Sequence, residues 1–587
     1  MSILLTTLNS KFIHTNLAIR YLKKYVEDIA DVELLEFTIN QTAEEIARKI
    51  FIKNPSLIGF STYIWNLKQT LEVCKRLKTI NPDVRILLGG PEVSFDSKEL
   101  MQENKFIDYI ICDEGEEAFK ELVLGLNPKN IQNLVYREDG NIIKNKTRKP
   151  IENLDLIPSP YLNSKEDFTG KIVYYEASRG CPFNCSFCLS SGRKVRYFSL
   201  ERIYQDIDYL VKRKVKQIKF IDRTFNANKN FARKILDYII ALDPDEVNFH
   251  FEITARLFET EDIEYFKTVK EGLFQFEIGM QSTNEKTLKE IDRNENYEKV
   301  KEISLKIKEL GNIHQHLDLI IGLPYEDYES FSKSFDDLYN IHPDKLQLGF
   351  LKLLKGSKLR FEEKKHGYIY IDDPPYEILY NNYISYKDIV KLKFIEEVVE
   401  KYYNEGYFKN SIDFVIKTKF HSPFKFFEDF SRYLFEINFF DSSHSRKSLY
   451  YYMNNYFKDE EQLNDSYEIL VELLKFDFLN SNVDKNIPEY MNTCPKIRFD
   501  EIHNLLKEKN VIKQLIFHDE NLSTKEIIKD VVIYKFKYNI SELLNQPPLS
   551  VSSDERIILF EYNNKGIVNR TNVIDITNIY KEMDKWI

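Results

Sequence analysis

The sequence predicts an α/β protein with two successive parallel sheets followed by a mostly helical C-terminal region. Two observations lead to this prediction. Short apolar strands alternate with amphipathic helical stretches in two series, five strands before residue 114 and six strands between residues 171 and 360. Beyond residue 360 the alternation gives way to helical patterns that are rich in Tyr, Phe and Lys.

The composition is that of an ordered globular chain. Of its 587 residues, 43% are hydrophobic and 30% are charged, and the formal net charge is −10. The mean hydropathy is −0.42, and no apolar run reaches the roughly 18 residues of a membrane span. The stretch MSILLTTLNSKF lacks the basic start and apolar core of a signal peptide, so we expect a cytoplasmic protein. The acidic balance disfavours broad, charge-driven binding to nucleic acid, although a local basic patch stays possible.

The first series, residues 1–140, predicts a parallel sheet with helices on both faces. Such sheets bind ligands at the carboxyl ends of their strands. These ends carry Asn9, Ser61, Thr62, Tyr63, Trp65, Gly89, Gly90, Pro91, Glu114, Gly115 and Glu116. No GxGxxG follows the first strand, so a dinucleotide fingerprint is missing, and the alternative is that these residues only form tight turns. A hairpin signal and then proline-punctuated coil predict a linker over residues 141–170.

The second series, residues 171–360, predicts a barrel-like sheet of six βα units, and its strands carry alternating polar residues. An ordinary parallel barrel fills its interior with branched apolar side chains. Here the residues expected on one face are Glu176, Ser178, His250, Glu252, Thr254, Arg256, Glu277, Gly279, Gln281, His314, His316 and Asp318. A polar lumen is costly unless it holds a ligand, water or a dense hydrogen-bond network. The pattern therefore favours a site in the lumen; the alternative is a set of polar residues that satisfy one another.

The cysteines divide into a triplet and three dispersed residues. Cys181, Cys185 and Cys188 have the spacing C-x3-C-x2-C in a loop that contains Gly, Pro and Asn. Three thiolates on a short loop suit a soft metal. A structural zinc site would want a fourth ligand, whereas an iron–sulfur cubane with three thiolates keeps one iron open to a small chelating ligand. The others, Cys74, Cys112 and Cys494, are expected to be buried structural thiols.

The triplet, with Phe187 before its last cysteine, resembles the motif of the radical S-adenosylmethionine (SAM) enzymes. The segments IDRTFN, EIGMQS and DLIIGLP after or on later strands match that family as well. The N-terminal series, with LGGPE and DEGEE, is similar to the cobalamin-binding domains of the B12-dependent radical SAM class. The last part is similar to the extension of an uncharacterised branch of that class. The resemblance implies a cobalamin-binding Rossmann-like domain over 1–140, a radical SAM partial (β/α)6 barrel over 171–360 and a C-terminal domain of unknown role over 361–587.

The resemblance also implies roles for particular residues. Cys181, Cys185 and Cys188 would ligate a [4Fe-4S] cluster whose open iron chelates SAM, and the strand ends of the first sheet would bind cobalamin. Arg256 would pair with the carboxylate or ribose of SAM, Glu277 and Gln281 would bind the ribose or substrate, and Gly322 would approach the adenine through its backbone. Candidate catalytic residues are Glu277, Gln281 and Asp318. The motif D-x-H-x-x-G is absent, which implies cobalamin without a protein imidazole below the cobalt.

The favoured function is methyl transfer. The resemblance implies reductive cleavage of SAM to a 5′-deoxyadenosyl radical and transfer of a methyl group from methylcobalamin to an unactivated carbon, with a reducing partner such as flavodoxin or ferredoxin. Three alternatives stay open: methylthiolation of a tRNA base, a non-methylating radical rearrangement, and a cobalamin- or SAM-sensing protein. A tRNA partner is possible because Lys and aromatic residues interleave in KTKFHSPFKFF, although a packed aromatic core is favoured there.

Overall fold

The computed structural model describes residues 2–458, 464–481, 485–517, 523–545, 553–563 and 570–584. Contacts divide the chain into two compact units. One unit contains residues 1–327 and 349–386, and the other contains residues 328–348 and 387–587. The first unit therefore holds the first predicted βα series and the second one except residues 328–348, together with a short segment beyond residue 360.

The N-terminal sheet has seven strands in the order β2-β1-β3-β4-β5-β6-β7. Its strands are β1 Ile3–Asn9, β2 Val32–Thr38, β3 Leu57–Ser61, β4 Arg85–Gly89, β5 Tyr109–Ile111, β6 Leu134–Glu138 and β7 Asn141–Lys144. Strands β1 to β5 are parallel, and β6 and β7 add an antiparallel hairpin at the edge. The helices are α1 Leu17–Tyr25, α2 Ala43–Ile52, α3 Leu67–Ile80, α4 Pro91–Ser94, α5 Ser97–Glu103 and α6 Glu116–Val123. Apolar clusters on both faces of the sheet confirm the predicted layered arrangement.

The edge hairpin extends the sheet beyond the predicted end of the first series. Strand β7 lies after residue 140, where the sequence predicts a linker. Asp139 and Gly140 both have positive φ, which a tight hairpin turn requires, and the turn brings β7 back onto β6. The hairpin signal of the sequence thus corresponds to β6 and β7, which pair along the edge of β5, so residues 141–144 belong to the sheet.

The second sheet has six strands in the order β15-β14-β13-β12-β11-β8. Its strands and those of a separate ribbon are, in chain order, β8 Ile172–Tyr175, β9 Ser178–Cys181, β10 Arg193–Tyr197, β11 Gln217–Phe220, β12 Asn248–Ile253, β13 Phe274–Gln281, β14 His314–Ile321 and β15 Lys345–Phe350. The pairs from β8 through β14 are parallel, as a partial (β/α)6 barrel requires. Strands β9 and β10 form an antiparallel two-stranded ribbon of their own.

The ribbon corrects the predicted first barrel strand. The prediction places Glu176 and Ser178 on that strand, but β8 ends at Tyr175 and Ser178 begins β9. Buried Asp222, just after β11, accepts hydrogen bonds from the Ala177 backbone and the Ser178 hydroxyl, which turns the chain out of the sheet. The carboxylate that causes this turn lies more than forty residues further along the chain, so a local pattern could not reveal it.

Helices alternate in sequence with the strands of the second series. They are α7 Leu200–Lys212, α8 Lys229–Leu242, α9 Thr260–Phe266, α10 Glu285–Glu290, α11 Tyr297–Leu310 and α12 Tyr328–Tyr339, followed by α13 Lys358–Phe361 and α14 Glu363–His366. The hairpin of β16 Ile369–Tyr370 and β17 Ile378–Tyr380 closes this part of the chain. Asn and Ser side chains cap several of these helices; for example, Asn296 accepts a hydrogen bond from Lys299 at the start of α11.

The C-terminal region is mostly helical, as predicted. Its α-helices are α15 Tyr386–Val398, α16 Lys409–Val415, α17 Pro423–Glu436, α18 Arg446–Lys458, α19 Asn464–Asn480, α20 Phe499–Leu505, α21 Lys509–Ile512, α22 Thr524–Ile527, α23 Ile540–Asn545 and α24 Thr577–Asp584. It also contains an antiparallel sheet of β18 Val531–Tyr538, β19 Ser553–Asn563 and β20 Arg570–Asp575. Within the described ranges no helix is both long and apolar enough to span a membrane.

Candidate active site and cofactor centres

The three clustered cysteines lie where the ribbon ends. Cys181 is the last residue of β9, and Cys185 and Cys188 follow in a tight loop in which the Cys188 amide donates to the Cys185 carbonyl. Cys181 and Cys185 are each 7% exposed, and Cys188 is half-buried.

Polar groups surround the sulfur atoms. The Ser190 amide donates to Cys188 Sγ at 3.4 Å, Arg293 Nη1 donates to Cys185 Sγ at 3.4 Å, and Thr224 Oγ1 lies 3.8 Å from Cys181 Sγ. Burial raises the pKa of the Cys185 thiol, and the Arg293 guanidinium opposes that shift. Donors aimed at sulfur stabilise thiolates, which is the form that ligates iron. The loop therefore fits a cluster held by three thiolates.

A cavity of about 570 Å³ opens beside this loop. Its lining residues are Pro182, Phe183, Asn184, Ser191, Arg256, Asp292, Asn294 and Lys358. The volume is in the range of small-molecule sites. The Arg256 guanidinium lies 4.9 Å from the Phe183 ring centre, and its Nε is 3.2 Å from Glu295 Oε1. Arg256, which is predicted to bind SAM, thus lies at a cavity next to the cysteines, although it is beyond β12 and not on it.

The barrel lumen contains a charged network centred on Glu277 of β13. Lys219 Nζ of β11 lies 3.0 Å and His250 Nε2 of β12 lies 2.8 Å from Glu277 Oε2. Burial would raise the pKa of Glu277, but the hydrogen bond from His250 and the charge of Lys219 outweigh it and lower that pKa to about 2. Burial also lowers the pKa of His250, so Lys219 is the principal counter-ion of Glu277.

Two more carboxyl groups face the same lumen. Burial raises the pKa of both Glu252 and Asp318, and for Asp318 the nearby carboxylates of Glu277 and Glu252 add to the rise. The side chains are deep in the barrel yet keep some exposure because they face its hollow centre. His316 of β14 extends the network, since Gln275 Nε2 lies 2.9 Å from its ring nitrogen. The lumen therefore combines an anion paired with Lys219 and two carboxyl groups whose pKa values are raised.

The other predicted barrel residues lie at strand ends. Gln281 has φ 74° at an irregularity in the pairing of β13 with β14, and a Cβ added at Gly279 would clash with the Gln281 amide. Arg293 also donates to the Gly279 carbonyl, so one guanidinium joins this strand to Cys185. The carbonyl of Gly322 accepts hydrogen bonds from Tyr368 and Asn381 at 3.0 and 2.9 Å, so that carbonyl already has two donors.

Sequence reasoning missed Lys219, Arg293 and Asp222. Lys219 alternates with Gln217 on KQIKFID, the same period of two that identified the neighbouring strands, so the signal was present. Arg293 lies in a loop after α10, and its contacts with Cys185 and Gly279 join segments far apart in sequence. No local pattern distinguishes it from an ordinary surface arginine.

The carboxyl edge of the N-terminal sheet presents an aromatic pair beside a glycine turn. The rings of Tyr63 and Trp65 stack with centres 4.5 Å apart, and Trp65 is 49% exposed. Thr62 donates from its backbone and its hydroxyl to the Gly89 carbonyl, both at 2.7 Å. Gly90 has φ 114°, and a Cβ there would clash with the Thr62 carbonyl. A half-exposed tryptophan and a side-chain-free turn suit a large, flat, partly apolar cofactor such as cobalamin.

The remaining predicted residues of this edge have other contacts. Asn9 donates to the His14 carbonyl and to Glu36, each at 3.1 Å, and Ser61 accepts from Thr7 through its carbonyl. Pro91 is the first residue of α4, and Gly115 caps α6. His14 lies against β8, where its Nδ1 is 2.8 Å from the Tyr174 hydroxyl.

Glu114 and Glu116 connect the two sheets. Glu116 Oε1 lies 2.7 Å from Arg179 Nη2 of β9, and Glu114 pairs with Arg196 of β10. Arg179 also lies 2.8 Å from Glu176. These contacts hold the carboxyl edge of the N-terminal sheet against the ribbon that ends in Cys181. The glutamates predicted to bind a cofactor therefore use their carboxylates for ion pairs with the ribbon.

Family models match three parts of the chain. Residues 3–123 match a B12 binding domain, residues 175–338 match the radical SAM superfamily, and residues 364–560 match a protein family of unknown function, DUF4080. The chain is a radical SAM enzyme with a B12-binding domain. Its cofactors are a [4Fe-4S] cluster, SAM and cobalamin, as the resemblance implies.

Several proteins are similar to this chain in sequence or in fold. It is 27% identical over 419 residues to an uncharacterised methyltransferase of Pyrococcus horikoshii, covering 69% of this chain and 88% of that one. It is 27% identical to TokK of Streptomyces tokunonensis, a cobalamin-dependent radical SAM methyltransferase, over 54% of this chain and 50% of TokK. The structure of the cobalamin-dependent SAM radical enzyme OxsB superposes with a TM-score of 0.56 at 16% identity, covering 82% of this chain and 84% of OxsB. At that identity the superposition supports the fold alone.

Proposed function

We propose that this protein is a B12-dependent radical SAM methyltransferase that methylates an unactivated carbon. The observation that carries the proposal is the pairing of Arg179 and Arg196 on the cysteine ribbon with Glu116 and Glu114 on the B12-binding sheet. This pairing joins the two cofactor domains next to the cysteine loop. When bound, the cluster and SAM supply a 5′-deoxyadenosyl radical, and cobalamin supplies a carrier for the methyl group.

On this proposal the chain positions three groups. Cys181, Cys185 and Cys188 hold the cluster, and Arg256 at the neighbouring cavity holds the carboxylate or ribose of SAM. Tyr63, Trp65, Gly90 and the backbone of the turns at residues 61–62, 89–91 and 114–116 form the cobalamin face. The carboxylates of Glu114 and Glu116 keep that face in position through the ribbon.

The lumen would receive the substrate. Glu277, fixed as an anion by Lys219 and His250, can orient a hydrogen-bond donor of the substrate. Burial and the neighbouring carboxylates raise the pKa of Asp318, which suits a group that exchanges a proton or a hydrogen bond with the substrate. Gln281 at the carboxyl end of β13 would contact the ribose or substrate, and Gly322 would face the adenine through its backbone.

Radical SAM enzymes receive their electron from an external reductant. We propose flavodoxin or ferredoxin for this role. We also propose a reducing cytoplasm as the location, because an oxygen-sensitive cluster needs a reductant and protection from oxidation. The support for a tRNA partner is weaker than the sequence alone implied. Phe424, Phe426 and Phe427 of the Lys- and Phe-rich stretch are at most 2% exposed, so these rings form core and are not stacking surfaces.

The test does not need the substrate. We expect the anaerobically reconstituted enzyme with SAM and a strong reductant to form 5′-deoxyadenosine and, only with cobalamin present, S-adenosylhomocysteine. Gly90→Ala should lower the second product at least tenfold and leave the first within twofold. Gly125→Ala is the matched control, since Gly125 also has positive φ but open space around it. Formation of 5′-deoxyadenosine without any cobalamin-dependent S-adenosylhomocysteine would refute methyl transfer and favour a rearrangement.

A further inference from the structure

A second cluster of ligand-type side chains lies away from the cysteines. Glu290 ends α10, and Glu362 and His366 lie one helical turn apart at α13 and α14. One oxygen of each carboxylate and a ring nitrogen of His366 all lie within 4.8 Å of one another. His366 Nε2 is 3.2 Å from Glu290 Oε1 and 3.9 Å from Glu362 Oε2. We propose that Glu290, Glu362 and His366 bind a divalent first-row metal ion.

The burial and orientation of the His366 imidazole suit a metal ligand. The His366 side chain is fully buried, and in the described structure its Nε2 makes no hydrogen bond although it points to the two carboxylates. Its other nitrogen, Nδ1, lies 3.1 Å from the Tyr383 hydroxyl. Metal-ligating histidines usually fix their orientation by a hydrogen bond from the second ring nitrogen. If Nδ1 donates to Tyr383, the lone pair of Nε2 is directed at the cluster.

The geometry needs only small side-chain movements. Ligand atoms around a first-row ion at 2.0–2.2 Å are separated by about 3 to 3.5 Å, and the histidine already meets one carboxylate at that spacing. Two carboxylates and one neutral imidazole balance a divalent charge. Nitrogen and oxygen donors without sulfur favour ions such as Mn²⁺, Fe²⁺ or Zn²⁺ and leave positions for water.

A lysine currently competes for one ligand. Lys365 pairs with Glu290, and its side chain is 52% exposed, so it can swing into water when a metal arrives. An ion pair made by so exposed a lysine contributes little to stability, so a metal can replace it readily. The competing interpretation is that Lys365, Glu290 and His366 form only a salt-bridge network.

The site would brace the wall of the cavity beside the cysteines. Asp292 and Asn294, just after Glu290, line that cavity, and so does Lys358, one turn before Glu362. Lys358 Nζ lies 2.6 Å from Asp292 Oδ2, so the two segments are already in contact. A metal bound to Glu290 and Glu362 would join them more firmly than this exposed pair does.

Mn²⁺ binding to the reconstituted holoenzyme tests the proposal, because the cluster then occupies the thiolates and Mn²⁺ prefers oxygen and nitrogen donors. The electron paramagnetic resonance signal of free Mn²⁺ reports the bound fraction. We expect one Mn²⁺ per chain and at least tenfold weaker binding in Glu362→Gln and in Glu290→Gln. The control Glu363→Gln, on the same turn but outside the cluster, should bind like the wild type.

Lys365→Ala separates the two interpretations. Removing the competitor should tighten Mn²⁺ binding severalfold and raise the unfolding temperature in the presence of Mn²⁺. In a pure salt-bridge network the same change would lower stability and bring no metal. Wild-type protein that binds no stoichiometric Mn²⁺, or equal affinity in wild type and both glutamine variants, would overturn the proposal.

Discussion

Glu277 shows how the barrel fixes a charge at a single residue. Its folded pKa of about 2 is below the ordinary value of about 4.3. A carboxylate with a lowered pKa stabilises the fold above its unfolded pKa, and that stabilisation is lost as the pH falls towards the folded pKa. The charge of Glu277 should therefore contribute fully at neutral pH and progressively less below about pH 4.5.

We predict that Glu277→Gln destabilises the protein at pH 7 by about 1 to 3 kcal/mol, because Lys219 loses its counter-ion inside the barrel. The difference in urea unfolding midpoint from the wild type should shrink as the pH is lowered from 7 to 3. Glu261→Gln, a change at an exposed glutamate, is the control and should show no such trend. A difference that stays constant down to pH 3 would contradict the lowered pKa.

At the scale of elements, the ribbon of β9 and β10 connects the cysteine loop to the N-terminal sheet through ion pairs. Arg179 is 14% exposed and contacts Glu116 and Glu176, and its guanidinium lies 5.3 Å from the Tyr21 ring centre. Burial raises the pKa of Glu176, and the Arg179 guanidinium opposes that rise. Removing the guanidinium would leave two buried carboxylates without their cation.

Arg179→Met, which keeps an unbranched apolar side chain but removes the guanidinium, should lower the stability of the apoprotein by about 2 to 4 kcal/mol at pH 7. The double variant Arg179→Met/Glu116→Gln should recover part of this loss, because one unpaired charge is gone. Thermal unfolding of the single and the double variant measures these stability changes. The control is Arg193→Met, which lies on the exposed part of the same ribbon. Equal unfolding temperatures for Arg179→Met and Arg193→Met would show that the ion pairs contribute little.

The elements also show what the sequence can and cannot predict. Alternation predicted both parallel sheets, and the C-x3-C-x2-C spacing predicted the cysteine loop, because these signals are local. The early end of β8 could not be predicted, since it depends on Asp222 more than forty residues later. Nor could the ion pairs of Glu114 and Glu116, whose partners Arg179 and Arg196 become neighbours only when two separate sheets meet.

At the scale of the whole molecule, the sequence predicted the mostly helical structure of the C-terminal region but not its function. Its aromatic residues pack on one another; Tyr402 and Phe430 have ring centres 4.9 Å apart, and both are fully buried. A core of this kind explains the Tyr- and Phe-rich composition through packing alone. The match of residues 364–560 to a family of unknown function agrees with the absence of a recognisable chemical motif in that sequence.

The two cofactor centres belong to one unit but use separate side chains, so each should load without the other. The contacts described for the cysteine sulfurs come from the barrel residues Thr224 and Arg293 and from Ser190 of the loop itself. The aromatic face for cobalamin, Tyr63 and Trp65, belongs to the N-terminal sheet. Loss of one thiolate should therefore leave the cobalamin face intact.

We predict that Cys185→Ala abolishes the brown chromophore, stoichiometric iron and 5′-deoxyadenosine formation, while its cobalamin affinity stays within about twofold of the wild type. Iron analysis and cobalamin absorbance after reconstitution and gel filtration measure the two centres separately. Cys112→Ala, which removes a buried thiol from the core of the N-terminal sheet, should keep both cofactors. If Cys185→Ala instead lost cobalamin together with iron, the two centres would be coupled. The ribbon would then transmit the state of the cysteine loop to the first sheet through the ion pairs of Arg179 and Arg196, and the double variant Arg179→Met/Glu116→Gln would test that path.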